Sequence, residues 1–88
     1  IDLSLASLSG WRRDEDAIKR SFDCPSFAAA IAFVTHVGFI AEKSNHHPDI
    51  DIRWRHVDIS LSTHDEGGIT EADLDLAGQI SEVFEAKQ

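Results

Sequence analysis

The sequence predicts an α+β sandwich in which helices cover one face of a sheet, in the order helix, two strands, helix, two strands, helix. Residues 26–45 and 70–84 carry apolar side chains at three- and four-residue spacing, as amphipathic helices do. Residues 11–24 and 50–63 instead alternate apolar and polar side chains on either side of charged turns, the pattern of paired strands. An apolar share of 42 % with two tryptophans supplies a core for 88 residues, so residues 1–88 are read as a single domain. So short a chain buries only roughly 60–65 % of its unfolded surface, and self-association is a common remedy.

Each element has its own signals. Ile1, Leu5 and Leu8 share a helical face and Gly10 offers a stop, which gives a short helix over residues 1–9. Trp11–Arg13 begins a strand, Asp14-Glu15-Asp16 makes an acidic turn, and Ala17–Cys24 returns with Ile18, Arg20 and Phe22 on one side. Ser26 caps the long helix, whose main stripe is Phe27, Ala30, Ile31, Val34, Gly38 and Ala41. Ala28, Ala29, Ala32, Val37 and Ile40 widen that stripe beyond one face, which predicts burial or a subunit contact. Pro48 disfavours helical dihedrals at His47 and ends the helix before it. Ile50, Ile52 and Trp54, then Val57, Ile59, Leu61 and Thr63, form a hairpin with a tight connection near Arg55-His56. Gly67-Gly68 breaks the chain, and Thr70-x-x-Asp73 opens a last helix carrying Leu74, Ala77, Ile80 and Phe84.

Composition removes several classes of function. A net charge of −8 with dispersed basic residues opposes direct binding to nucleic acid or to an anionic membrane surface. No apolar run approaches the ~20 residues of a membrane span and no signal peptide is visible, so a cytoplasmic location is expected. Cys24 is the single cysteine, which excludes an intrachain disulfide and a cysteine-based zinc site; its neighbours Phe22, Pro25 and Phe27 suit a small hydrophobe. There is no GxSxG nucleophile turn, no phosphate loop after Gly67-Gly68, and no HExxH or HxH metal spacing.

The histidines carry the chemistry. His46 and His47 are adjacent at the end of the long helix, with Glu42 one turn before His46 and Pro48 immediately after. Histidine carries protons around neutrality, and a helix end followed by a proline-fixed turn holds the rings more firmly than a free loop, which suits a general acid or base. The plainer alternative makes His46 a helix cap and His47 a solvated side chain. His64 lies between the second hairpin and the last helix, where element ends can converge with His46, His47, Glu42 and Asp73. Asp73 also has a structural role open to it, since it completes a capping box with Thr70. His36 and His56 are read as structural or exposed.

Glu42, His46-His47-Pro48, Trp54, His64 and Asp73 in "GGITEADLDLA", together with "SGW" at 9–11 and "FAAAIAFVTHVGFIAEKSNHHP", resemble the pterin-4a-carbinolamine dehydratases over nearly the whole chain. The resemblance implies a four-stranded antiparallel sheet with helices on one face. It also implies dehydration of 4a-hydroxytetrahydropterin to quinonoid dihydropterin, which recycles the cofactor of aromatic amino-acid hydroxylases. His46, His47 and His64 would be the catalytic residues. Glu42 would support the histidine pair, Asp73 would lie near His64, and Pro48 and Trp54 would be motif positions beside the substrate or core. No metal and no cofactor are needed, because the pterin is the substrate and general acid–base assistance suffices. His46 or His47 is the preferred donor to the leaving hydroxyl. The expected partners are the pterin, further copies of the chain in a homodimer or homotetramer, and functional coupling to a hydroxylase. The family also implies a second class of function, a protein-binding scaffold of the same fold acting as a dimerisation cofactor or coactivator. A histidine metal site is the third class.

Overall fold

A computed structural model of the chain describes residues 8–86. Their order is β1 (Arg12–Asp14), β2 (Ala17–Asp23), α1 (Phe27–Ser44), β3 (Asp49–Arg53), β4 (His56–Leu61), a 3-10 turn (His64–Glu66) and α2 (Glu71–Ala86). The helix expected over residues 1–9 falls outside the described residues except at its end, where Leu8–Gly10 form a bend and turn. All neighbouring strands are antiparallel in the order β1-β2-β4-β3, which leaves β1 and β3 as edges.

Register follows from burying one face. Ile18 faces Leu61, Arg20 faces Ile59 and Phe22 faces Val57, while Ile50 and Ile52 face Ile59 and Val57 from the edge strand. A slip of one residue would turn this whole set towards water, so the pairing is tightly specified. The opposite face carries Lys19, Ser21, Asp49, Asp51, Asp58 and Ser60 around an open concavity of about 320 Å³. Ala30, Phe33, Val37 and Ala41 of α1, and Leu76, Ala77 and Ile80 of α2, close the apolar face into one core. Phe22 stands at its centre, with ring centroids 6.0 Å from Trp11, 5.0 Å from Phe33 and 4.9 Å from Phe84.

Both hairpins turn in two residues, at places shifted from the sequence pattern. Asp14 belongs to β1, paired with Ala17, so the first turn is Glu15-Asp16 with Glu15 at φ 56°. Arg53 pairs with His56, so the second turn is Trp54-Arg55 rather than Arg55-His56, and Trp54 leaves the strand at φ 58°. Such tight hairpins need a left-handed residue to match strand twist, and alternation of side chains carries no information about which one supplies it. β4 also stops at Leu61, two residues before the expected end, and Thr63 forms an isolated bridge to Gly68.

α1 begins where expected, with Ser26 Oγ accepting from the Ala29 amide at 3.1 Å. Its end is set by Asn45 rather than Pro48. Asn45 adopts a left-handed conformation, its amide bonds to Glu42 O at 3.1 Å, and the His46 amide bonds to Ala41 O at 3.1 Å. Those two bonds make a Schellman motif, which asparagine tolerates better than most residues. By length and composition (18 residues, mean hydropathy 1.2) α1 matches a membrane span, contrary to the expectation that no segment does. Ala30, Phe33, Val37 and Ala41 bury one stripe of the helix in the sheet's core, while Phe27, Ile31 and Phe39 stay exposed on its other side.

Phe22→Ala removes a ring 1 % exposed and touched by three aromatic neighbours. It is expected to cost about 3–5 kcal/mol, read as a lowered urea midpoint.

Candidate functional site

The Schellman end of α1 fixes the backbone of His46 and sends the two adjacent rings to different partners. His46 Nε2 lies 2.5 Å from Asp73 Oδ1, with the histidine side chain 16 % exposed and the aspartate fully buried. His47 Nε2 lies 2.8 Å from Glu42 Oε1, both side chains largely in water at 60 % and 79 % exposure. The helical spacing of four would pair Glu42 with His46. The left-handed step at Asn45 instead reverses the chain, so the carboxylate meets the following ring.

Asp73 sits in the first turn of α2 and is the one buried charged residue among those described. Its Oδ2 accepts the Thr70 amide at 2.8 Å and the Thr63 hydroxyl at 2.8 Å. Half of the expected capping box is therefore present, the carboxylate reaching back to the amide of Thr70. The Thr70 hydroxyl lies 2.8 Å from Thr63 Oγ1. A carboxylate receiving this many donors satisfies its buried oxygens without a cation.

The two histidines line a cleft of about 240 Å³ with Asn45, Ser62, Thr63 and Asp65. Its other wall is the segment after β4, including the 3-10 turn that begins at His64. That turn is closed at its neck by Thr63 N to Gly68 O at 2.8 Å and Gly68 N to Thr63 O at 3.1 Å. Gly67 and Gly68 supply the positive φ angles, 75° and 155°, that the closure requires.

Trp54 is not brought to this cleft. It occupies the β3–β4 turn, six residues beyond Pro48 along an extended strand, or about 20 Å away. Its ring is 70 % exposed and lies 5.8 Å from the Arg55 guanidinium. Pro48 joins the histidine pair to β3. His36 is exposed on α1, and His56 is paired with Asp23 on the open sheet face. Cys24 is buried, and burial pushes its thiol above the ordinary range, with Asp23 adding to the effect and Arg55 opposing it. That environment disfavours a thiolate nucleophile. Among the described residues no group of three or more His, Cys, Asp and Glu is arranged to hold a metal ion. Asn45 and Thr63 also line the cleft, Asn45 as the left-handed helix end and Thr63 where the sequence reading placed only the end of a strand. Asparagine before a histidine pair signals a left-handed helix end, whereas nothing local distinguishes Thr63 from a strand residue.

Comparison with known proteins gives the chain's family. Residues 1–83 match the model of the family described as pterin 4 alpha carbinolamine dehydratase. The chain belongs to that family. A protein of Roseiflexus castenholzii, provisionally named a pterin-4-alpha-carbinolamine dehydratase, is 57 % identical over 84 residues, covering 96 % of this chain and 90 % of its own. A Chloroflexus aurantiacus protein with the same provisional name is 52 % identical over 80 residues, covering 91 % of this chain and 86 % of its own. Among solved structures, a transcriptional coactivator/pterin dehydratase from Brucella melitensis superposes with a TM-score of 0.91 at 34 % identity, covering 94 % of this chain and 90 % of that one. A pterin dehydratase-like protein identified as a RuBisCO assembly factor in the alpha-carboxysome shares the fold, with a TM-score of 0.68 at 22 % identity over 83 % and 84 % of the two chains. The pterin dehydratase fold thus carries more than one kind of described role.

The two carboxylate–histidine pairs differ in burial, and so should their mutants. Asp73→Ala strands Thr63, Thr70 and His46 without their shared acceptor and should cost about 3 kcal/mol or more in a urea melt. Glu42→Gln, on a largely exposed pair, should change stability by less than about 0.5 kcal/mol. For Cys24, a thiol reagent at neutral pH should label the native chain far more slowly than the urea-unfolded one.

Proposed function

We propose that this chain dehydrates 4a-hydroxytetrahydropterin to quinonoid dihydropterin and water, with His46, His47 and His64 as the acid–base groups. The observation that carries this reading is a pair of adjacent imidazoles held by two different carboxylates beside one cleft. The reaction breaks the C4a–O bond. The leaving oxygen takes a proton from an imidazolium and departs as water, while electrons from a ring nitrogen form the new double bond and that nitrogen's proton passes to a neutral imidazole. No covalent intermediate and no redox partner are required. Two rings with separate anchors can hold opposite protonation states, which a single histidine cannot.

The cleft, about 240 Å³, is smaller than the roughly 300–1,000 Å³ of pockets for drug-sized ligands and suits the edge of a small bicyclic heterocycle. With the pterin as substrate, the chemistry asks for neither a cofactor nor a metal. Its product is the oxidised form of a hydroxylase's tetrahydropterin cofactor, so the reaction class that supplies the substrate is aromatic amino-acid hydroxylation.

A second reading rests on a different observation. Phe27, Ile31 and Phe39 of α1 are 51 %, 41 % and 72 % exposed, an apolar surface suited to protein contact. It supports a homodimer or homotetramer, or a scaffold role with another protein, and either can coexist with catalysis.

Stopped-flow ultraviolet monitoring of freshly generated 4a-hydroxytetrahydropterin tests the first reading. Decay should be accelerated by the wild type, and His47→Ala should lose about 10²-fold of that acceleration. Decay no faster than in buffer, from folded protein, would rule the dehydratase out. Light scattering at micromolar concentration tests self-association, with Phe39→Glu expected to shift assemblies towards monomer.

A further inference from the structure

Thr63 stands where three parts of the site meet. Its backbone closes the neck of the turn that carries His64, through paired hydrogen bonds with Gly68. Its hydroxyl donates to Asp73 Oδ2 at 2.8 Å, and Asp73 Oδ1 faces His46 Nε2 at 2.5 Å. A hydroxyl has one proton to give, so with Thr63 donating to Asp73, the 2.8 Å contact with Thr70 must run the other way. The result is a directed chain, Thr70 O–H to Thr63 O–H to Asp73, in which each bond polarises the next. Its polarity ends on a carboxylate with no exposure to water.

We propose that Thr63 is a positioning residue of this site: its hydroxyl holds the Asp73 carboxylate oriented, so that neutral His46 carries its hydrogen on Nε2 and works through Nδ1. The argument is one of donors and acceptors. An aspartate that accepts from the Thr70 amide and the Thr63 hydroxyl on one oxygen offers its other oxygen to His46 as an acceptor. A neutral imidazole facing that oxygen through Nε2 must present N–H there, which leaves the lone pair on Nδ1. Without the Thr63 hydroxyl, the buried carboxylate lacks one of its donors. Oδ2 then keeps the Thr70 amide alone, the carboxylate is held less firmly against His46, and the Nε2–H tautomer is no longer imposed. The ionisable groups near His46 are Asp73 in α2, His47 with Glu42 behind it at the end of α1, and Asp65 in the 3-10 turn. Asp73 is in direct contact with the His46 ring, so a change at Thr63 reaches His46 through it.

The kinetic part of this inference rests on the dehydratase reading; the tautomer does not. Long-range 1H–15N correlation spectra of the 15N-labelled whole chain report which ring nitrogen of His46 carries hydrogen as pH is raised. In the wild type the hydrogen should remain on Nε2 and leave Nδ1. In Thr63→Val part of the hydrogen should appear on Nδ1 of the neutral ring, and Thr63→Ser, which keeps the hydroxyl, should restore the wild-type spectrum. At neutral pH, Thr63→Val should lower kcat about 10-fold with KM changed less than about 2-fold, again restored by serine. A wild-type His46 with its hydrogen on Nδ1 at high pH overturns the proposal without any variant, so a Thr63→Val chain that failed to fold would not shelter it. A Val variant with the wild-type tautomer and turnover overturns it too, as does failure of serine to restore both. An inert wild type with the expected tautomer would instead remove the dehydratase reading and leave the Thr63–Asp73–His46 assignment standing.

Discussion

One buried carboxylate organises this molecule's working end. Asp73 is placed without water among the ends of three elements: the first turn of α2, the segment leaving β4 and the reversal after α1. Burying a charge there is costly unless its oxygens are occupied, and they are met by the Thr70 amide, the Thr63 hydroxyl and the His46 ring. Each of those donors belongs to a different segment. The requirement that Asp73 be satisfied therefore draws the α1 end, the His64 turn and the α2 start into one place. The sheet supplies the frame that makes this affordable, since β4 runs between β2 and β3 with Val57, Ile59 and Leu61 anchored in the core.

His47 is arranged on the opposite principle. Its partner Glu42 is mostly in water, so the pair contributes little to stability and leaves its ring accessible. A buried dyad beside a solvated one gives two imidazoles different environments at adjacent positions. That asymmetry is what acid–base chemistry with a donor and an acceptor needs. Asn45 creates it, because only the left-handed step at the helix end separates two rings that would otherwise follow one another around α1.

Much of the fold was legible in the sequence. The 3.6-residue periodicity located α1 and α2, the alternation located the strands, and Ser26 marked a true cap, because burial and capping are local patterns of residue type. The hairpin turns were displaced by one residue, since Glu15 and Trp54 take left-handed conformations that no glycine or asparagine announces. The sequence grouped His46, His47 and His64 with Glu42 and Asp73, but which carboxylate meets which of the adjacent rings was not legible. Helical spacing linked Glu42 to His46, and the Schellman reversal undid it. Trp54 entered through motif spacing and lies at the far end of β3, because an odd or even count along a strand fixes a face but says nothing of proximity to a loop. Thr63 was invisible, as its role depends on a contact ten residues away with a buried oxygen.

A double-mutant cycle on turnover tests most directly whether Asp73 acts through His46. Dehydration would be measured for His46→Ala, Asp73→Asn and the double variant, each checked for native structure. If the two side chains form one working unit, the double variant will be no slower than the slower single variant. Losses that multiply would show two independent contributions and would contradict the account.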